Sequence, residues 1–151
     1  MSQSLSKMWT HLIFSTKDRY PFLGDQTTRE QTHKYIAGIL RKNDSPTLLV
    51  GGVADHVHAL FALSKNRSIA EIVYEVKRSS SKWIKTQDPR LKKFHWQNGY
   101  GAFSVSQSHV EQVRKYIAEQ ERHHRKVTFE DEFREFLRRY EIDYDERYLW
   151  D

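Results

Sequence analysis

The order of strand-like and helix-like segments predicts an α+β fold. It is a ferredoxin-like βαββαβ antiparallel sheet with an additional C-terminal helix carrying a tyrosine, followed by a helical tail. Three observations lead there. Short apolar or alternating runs have strand length. Four signals of the form [ST]-x-x-[ED] mark helix starts at Thr27, Ser68, Ser108 and Thr128. The elements follow one another as strand, helix, strand, strand, helix, strand, helix.

The first strand is read at 8–16, MWTHLIFST, which alternates loosely and stops before the turn-rich KDRYPFLGD. Thr27…Glu30 opens the first helix. Thr47 to Val53 is an apolar run whose Gly51-Gly52 pair suggests a bulge or tight bend. In the next strand Val57, Ala59, Phe61 and Leu63 share one face, expected to be buried, and His56 and His58 share the other, expected to be free. After Ser68…Glu71, the residues Ile69, Ile72, Val73, Val76, Ser80, Trp83 and Ile84 trace one helical stripe. GYGAFSVSQ supplies the last strand, with Phe103 and Val105 on one face. Ser108…Glu111 then starts a helix with Val110, Val113 and Ile117 on one side and Tyr116 and Gln120 beside or across from it. The segment 128–151 is charged yet rich in aromatics, as a disordered tail rarely is, and reads as a helix plus a docking arm.

At 151 residues the chain suits one domain, 1–151, with a core at 1–127 and the C-terminal helix and arm at 128–151. No apolar run approaches the roughly 18 residues of a membrane span, and 1–12 lacks the apolar stretch of a secretory signal. Cysteine is absent, which removes disulfides, thiolate ligands and a cysteine nucleophile. The expected location is cytoplasmic. A net charge of +5 favours a polyanionic partner. Between 77 and 96, the cations Lys77, Arg78, Lys82 and Lys85 interleave with Trp83 and Trp96. Such a run can simply be a solvated helix face; it also suits single-stranded nucleic acid, where bases stack and phosphates are neutralised.

The chemistry is carried by His56-Val57-His58. Two imidazoles on one face of a strand make half of a divalent-metal site. Tyr116 and Gln120, four apart on a helix, are presented together and could supply a phenolic nucleophile and one more ligand. Together the four suggest metal-assisted attack on a phosphodiester. Each has a plainer reading alone: a chance pair, a packing tyrosine, a solvated glutamine. His123 and His124, near a helix end, read as partners for the helix dipole or a phosphate rather than a metal. His95 and His109 stay unassigned.

DHVHALF at 55–61, FHWQNGYGAFSVSQS at 94–108 and YIAEQERHH at 116–124 resemble the single-tyrosine HUH transposases of small insertion sequences and the related transposases associated with repetitive extragenic palindromes. HLIFSTKDRYPFL at the start, and the tail TFEDEFREFLRRYEIDYDERYLW, extend the resemblance over nearly the whole chain. The resemblance implies metal ligation by His56, His58 and Gln120, with Mg2+ or Mn2+ as the cation, and Tyr116 as nucleophile. It implies cleavage and rejoining of single-stranded DNA with hairpin ends, through a covalent 5′-phosphotyrosine. It further implies a homodimer whose active sites are shared between chains. Three rivals stand beside it. One is a non-catalytic nucleic-acid-binding module, although GYGAFSV lacks the leading basic residue and later aromatic of an RNA-recognition strand. Another is a metal-dependent nuclease using water. The third is a domesticated palindrome-processing relative.

Overall fold

The computed structural model describes residues 2–151. Strands β1 (Trp9–Ser15), β2 (Thr47–Val53), β3 (His56–Ala62) and β4 (Gly101–Ser104) form one antiparallel sheet in the order β2-β3-β1-β4. That order, with helix α1 (Gln26–Lys42) between β1 and β2 and α2 (Ile69–Ile84) between β3 and β4, is the expected ferredoxin-like arrangement. The chain continues into α3 (Val110–Ala118), α4 (Gln120–His123) and α5 (Phe129–Arg139).

Alternation along the strands sorts the side chains into two cores. Leu12, Phe14, Val57, Ala59 and Phe61 point to α1 and α2, and join Ile36, Leu40, Ile72, Val76 and Ile84 in the larger one. The opposite face is not free. Ile13 and Phe103 pack under Phe129, Phe133 and Leu137 of α5, while Leu60 packs under Val110 and Ile117 of α3. The molecule therefore has three layers, and the face expected to be open is roofed by the C-terminal helices. Burying a large apolar side chain stabilises by about 1.5–3 kcal/mol, so the phenylalanines of α5 suffice to hold the tail down.

Two of the four helix-start signals act as read. Ser68 and Glu71 form a reciprocal capping box, and the Thr128 side chain accepts from the Asp131 N–H. The first helix instead begins two residues earlier, capped by Asp25, whose carboxylate accepts from the Thr28 N–H. Ser108 caps nothing: residues Gln107–His109 form a 3-10 turn, and the Ser108 hydroxyl lies 3.2 Å from His109 Nδ1. The bulge expected at Gly51-Gly52 is also displaced. Register is regular there, Gly51 facing His58 and Gly52 facing Val57, and the irregularity falls between Thr47 and Leu49.

Gly51 has a different purpose. A Cβ on it would lie 2.9 Å from Ile117 Cγ2 and 3.1 Å from the Ile117 carbonyl. Gly101 does the same for α5, where a Cβ would lie 2.5 Å from the Phe133 ring. Each glycine is the seat of one roofing helix. Accordingly, Gly51→Ala and Gly101→Ala should each destabilise the protein by about 1–3 kcal/mol through overpacking. Gly38, with nothing within 4 Å of its would-be Cβ in mid-α1, is the control. Gly38→Ala should stabilise by about 0.4–1 kcal/mol, and urea denaturation midpoints compare all three.

Candidate active site

The two imidazoles on β3 enter the space between sheet and roof, where both are almost wholly enclosed: His56 is 1% and His58 0% exposed. They do not look out to solvent, as a free face would have required. Asp55, in the β2–β3 turn, holds His56 Nδ1 at 2.7 Å. That fixes the tautomer with the proton on Nδ1, so Nε2 carries a lone pair inward. His11 on β1 does the corresponding job for the second ring, its Nε2 lying 2.8 Å from His58 Nδ1.

Gln120 meets His56 as expected, Oε1 to Nε2 at 3.1 Å, and is 1% exposed. It does not lie on one continuous helix with Tyr116. The helix breaks at Glu119, with φ −100° and ψ 16°, so the phenol belongs to α3 and the amide to α4. Tyr116 nevertheless reaches the histidines of its own chain, with its ring centroid 5.9 Å from that of His58.

At the centre sits a residue that sequence reasoning missed, Glu132 of α5, 4% exposed. One carboxylate oxygen lies 3.1 Å from His58 Nε2, 3.2 Å from His124 Nε2 and 3.5 Å from His56 Nε2. The other accepts from the Tyr116 hydroxyl and, at 3.1 Å, from the Gln120 amide. His124, set aside on sequence as a dipole or phosphate partner, thus belongs to the cluster. Its Nδ1 is anchored 2.6 Å from the Val127 carbonyl. The tail at 128–151 thus contributes a central group to the cluster. Thr128…Asp131 was the available signal: a helix starting there places Glu132 within its first turn.

Charge in this enclosure is tightly constrained. Burial pushes His58 down to about 4, against the opposing pull of Glu132, and pushes His11 well below the usual histidine range. Burial would raise Glu132, but the imidazoles of His124 and His58 beside it outweigh that and hold the carboxyl well below the usual carboxylate range. His124 is raised despite its own burial, because the Glu132 carboxylate lies 3.2 Å from its Nε2. Tyr116 is raised, first by burial and then by the Glu132 charge and hydrogen bond. At neutral pH the centre therefore holds an ionised Glu132, a neutral His58 and a protonated phenol.

His56, His58, His124 and Glu132 present ligand atoms all within 4.8 Å of one another. Lone pairs of His56 Nε2, Gln120 Oε1 and Glu132 Oε1 converge without enough protons between them, a donor set of nitrogen and oxygen that fits a divalent cation.

The cation-rich segment is used differently from expectation. Trp96 is 7% exposed and donates to the Ser80 hydroxyl at 2.9 Å, so it cannot stack on a base. The Lys77 ammonium donates to the carbonyls of Gln97 and Gly99 at 2.8 and 2.6 Å, and burial lowers its pKa to about 8. It is committed to the loop before β4. Lys85 lies 3.3 Å from the Ser81 hydroxyl. Arg78, paired with Glu75, and Lys82 remain exposed. The aromatics exposed near them are Tyr74 and Tyr100, not the tryptophans.

The model of the family described as Transposase, IS200-like matches residues 4–120, and the chain belongs to that family. A protein of Deinococcus radiodurans R1 assigned as a transposase superposes with a TM-score of 0.60 at 23% identity, covering 78% of this chain and 93% of its own. A REP-associated tyrosine transposase bound to a REP hairpin gives 0.53 at 15% identity, covering 78% of this chain and 67% of that one. Both likenesses speak for the fold. Among curated proteins none matches the chain. No helix among the described residues is long and apolar enough to cross a membrane.

The neutral histidines have a measurable consequence. His33 of α1, its Nε2 buried without a hydrogen-bond partner, is also lowered to about 4 by burial. Between about pH 4 and the unfolded value near 6.5, the unfolded chain binds protons that the folded chain refuses. Stability from these groups is fully present above about pH 6.5 and is lost as pH falls toward 4. The urea midpoint of the metal-free protein should drop between pH 7 and pH 5, and His33→Gln should flatten that slope.

Proposed function

We propose that this IS200-like transposase cleaves and rejoins single-stranded DNA through a covalent 5′-phosphotyrosine on Tyr116. The proposal rests above all on one observation: the phenol, two strand-borne imidazoles and the Gln120 amide all converge on the Glu132 carboxylate. His56, His58 and Gln120 would hold Mg2+ or Mn2+, with Glu132 as a further oxygen ligand. A cation there would offset the Glu132 charge, polarise the scissile phosphate and stabilise the negative charge that develops on it.

The remaining roles follow from the chain's own groups. Asp55 and His11 orient the two imidazoles through the ring nitrogens that face away from the cluster. Glu132 aims the Tyr116 hydroxyl and is the acceptor nearest its proton. As the Tyr116 oxygen bonds to phosphorus, the bond from phosphorus to the 3′ oxygen breaks, and that oxygen leaves as a hydroxyl after taking up a proton. The free 3′ hydroxyl can later attack a phosphotyrosine link, so joining needs no external energy source.

DNA with a hairpin is the substrate this reading favours. The fold is shared with a transposase bound to a hairpin, and Arg78 stands exposed in one groove with Tyr74 and Tyr100. A domesticated palindrome-processing role would use the same residues and chemistry.

Incubating the protein with labelled single-stranded DNA from the flanks of its own gene, with Mn2+, should give a covalent band on a denaturing gel. Tyr116→Phe should abolish the band and leave DNA binding intact; a persistent band would remove Tyr116 as the nucleophile. Metal binding has its own readout. Mn2+ should raise the melting temperature of the wild type, and His56→Ala or His58→Ala should lose most of that rise.

Assembly separates two forms of the site. Tyr116 lies beside the histidines of its own chain, whereas the homodimer of the resemblance exchanges tyrosine helices. With the site within one chain, mixing Tyr116→Phe with His56→Ala should recover no cleavage. Recovery after co-expression would establish exchange between chains.

A further inference from the structure

Beside Tyr116 opens a cleft of about 560 Å³, floored by the sheet at His11 and Ser104 and walled by two helices. Val113 and Tyr116 line it from α3, Phe136 from α5, and Tyr140 from the cap that ends α5. It is the place where the roofing helices part. We propose that this cleft receives one unstacked base of the DNA strand, from a nucleotide next to the phosphate attacked by Tyr116. The inference rests on the function proposed above and names where that function takes hold of its substrate.

Position argues first. The Tyr116 phenol forms part of the cleft wall, so a phosphate placed for attack puts the adjoining nucleotide at the cleft mouth. Size and surface agree. The volume lies within the roughly 300–1,000 Å³ of small-ligand sites, and the walls are mainly apolar. Phe136 is pinned against Phe103 with ring centroids 5.2 Å apart, and Tyr140 lies 4.7 Å from Phe103. The Tyr140 hydroxyl donates to the Ser104 carbonyl at 2.8 Å, which fixes a ring that is 43% exposed. A fixed, half-exposed aromatic is a stacking platform that accepts any base by its face.

The rim is polar and cationic. Arg139 lines the same cleft, with its side chain 65% exposed and turned to Glu135, and can take the sugar–phosphate backbone as the base enters. Gln112 and Ser106, both exposed at the α3 end, offer an amide and a hydroxyl to a base edge. A base drawn into this cleft has left the stack, which ties the site to single strands and not to duplex.

Binding, not cleavage, provides the test, so that the two proposals can fail separately. Tyr116→Phe is titrated with a hairpin-bearing single-stranded oligonucleotide from the gene's flanks, then with versions carrying one abasic residue at each unpaired position in turn. One abasic position should weaken binding about tenfold, the scale of one base–aromatic stack. It should adjoin the phosphate that the wild-type protein attacks. Adding Val113→Trp to fill the cleft should weaken the intact oligonucleotide by a similar factor and erase the difference between intact and abasic DNA. Phe136→Leu with Tyr140→Leu, which keeps the apolar volume and removes the rings, serves where the tryptophan disturbs folding as read by melting temperature. Tight binding with no sensitive position, or a sensitive position that both sets of cleft variants leave unchanged, overturns the base pocket alone. No binding of the intact oligonucleotide overturns the DNA reading itself.

Discussion

Everything on the roofed side of the sheet converges on one buried carboxylate. Glu132 is carried by α5, yet it touches side chains from β3, α3, α4 and the turn that follows α4. An ionised group in such an enclosure is tolerated only when paired and hydrogen-bonded, and removing one partner of a buried pair typically costs about 3–5 kcal/mol. The tail is therefore bound to the histidine centre twice, by its phenylalanines against Ile13 and Phe103 and by this single charge. Packing fixes where α5 lies; the carboxylate fixes how far it can slide.

That double attachment explains which parts of the molecule were legible in the sequence. Strand alternation and the stripe of α2 are local patterns, and they gave the four strands and the ferredoxin-like order correctly. His56 and His58 were legible because a strand places alternate residues on one face. Their burial was not, because it depends on residues about seventy positions downstream folding back over the sheet. The alternation of β3 was read as one buried and one free face; the aromatic tail, noted as a docking arm, is what covers the second.

The missing members of the site were hidden for a related reason. Glu132 sits in a run of acidic residues at a helix start, where a carboxylate is expected for the helix dipole alone. His11 and Asp55 act through ring nitrogens facing away from the cluster, a relation that no spacing in the chain encodes. The cationic segment erred in the other direction. Trp96 and Lys77 combine attractive residue types, but the Ser80 hydroxyl takes the indole N–H and a loop of carbonyls takes the ammonium. Composition revealed the kind of partner, while burial decided which residues are free to meet it.

The two glycines that seat the roofing helices bear on how such a chain can drift. Gly51 and Gly101 leave no room for even a methyl group against Ile117 and Phe133, and neither takes part in the chemistry. Under the proposed mechanism, a descendant copy that ceased to act on DNA would be released from any need for a phenol at 116 or imidazoles at 56 and 58. It would still be held to glycine at 51 and 101 for as long as it kept this shape. Within a set of descendants, those two positions record inheritance of the architecture, and the phenol and imidazoles record survival of the proposed activity. Where the two records part, a retired copy can be told from a working one.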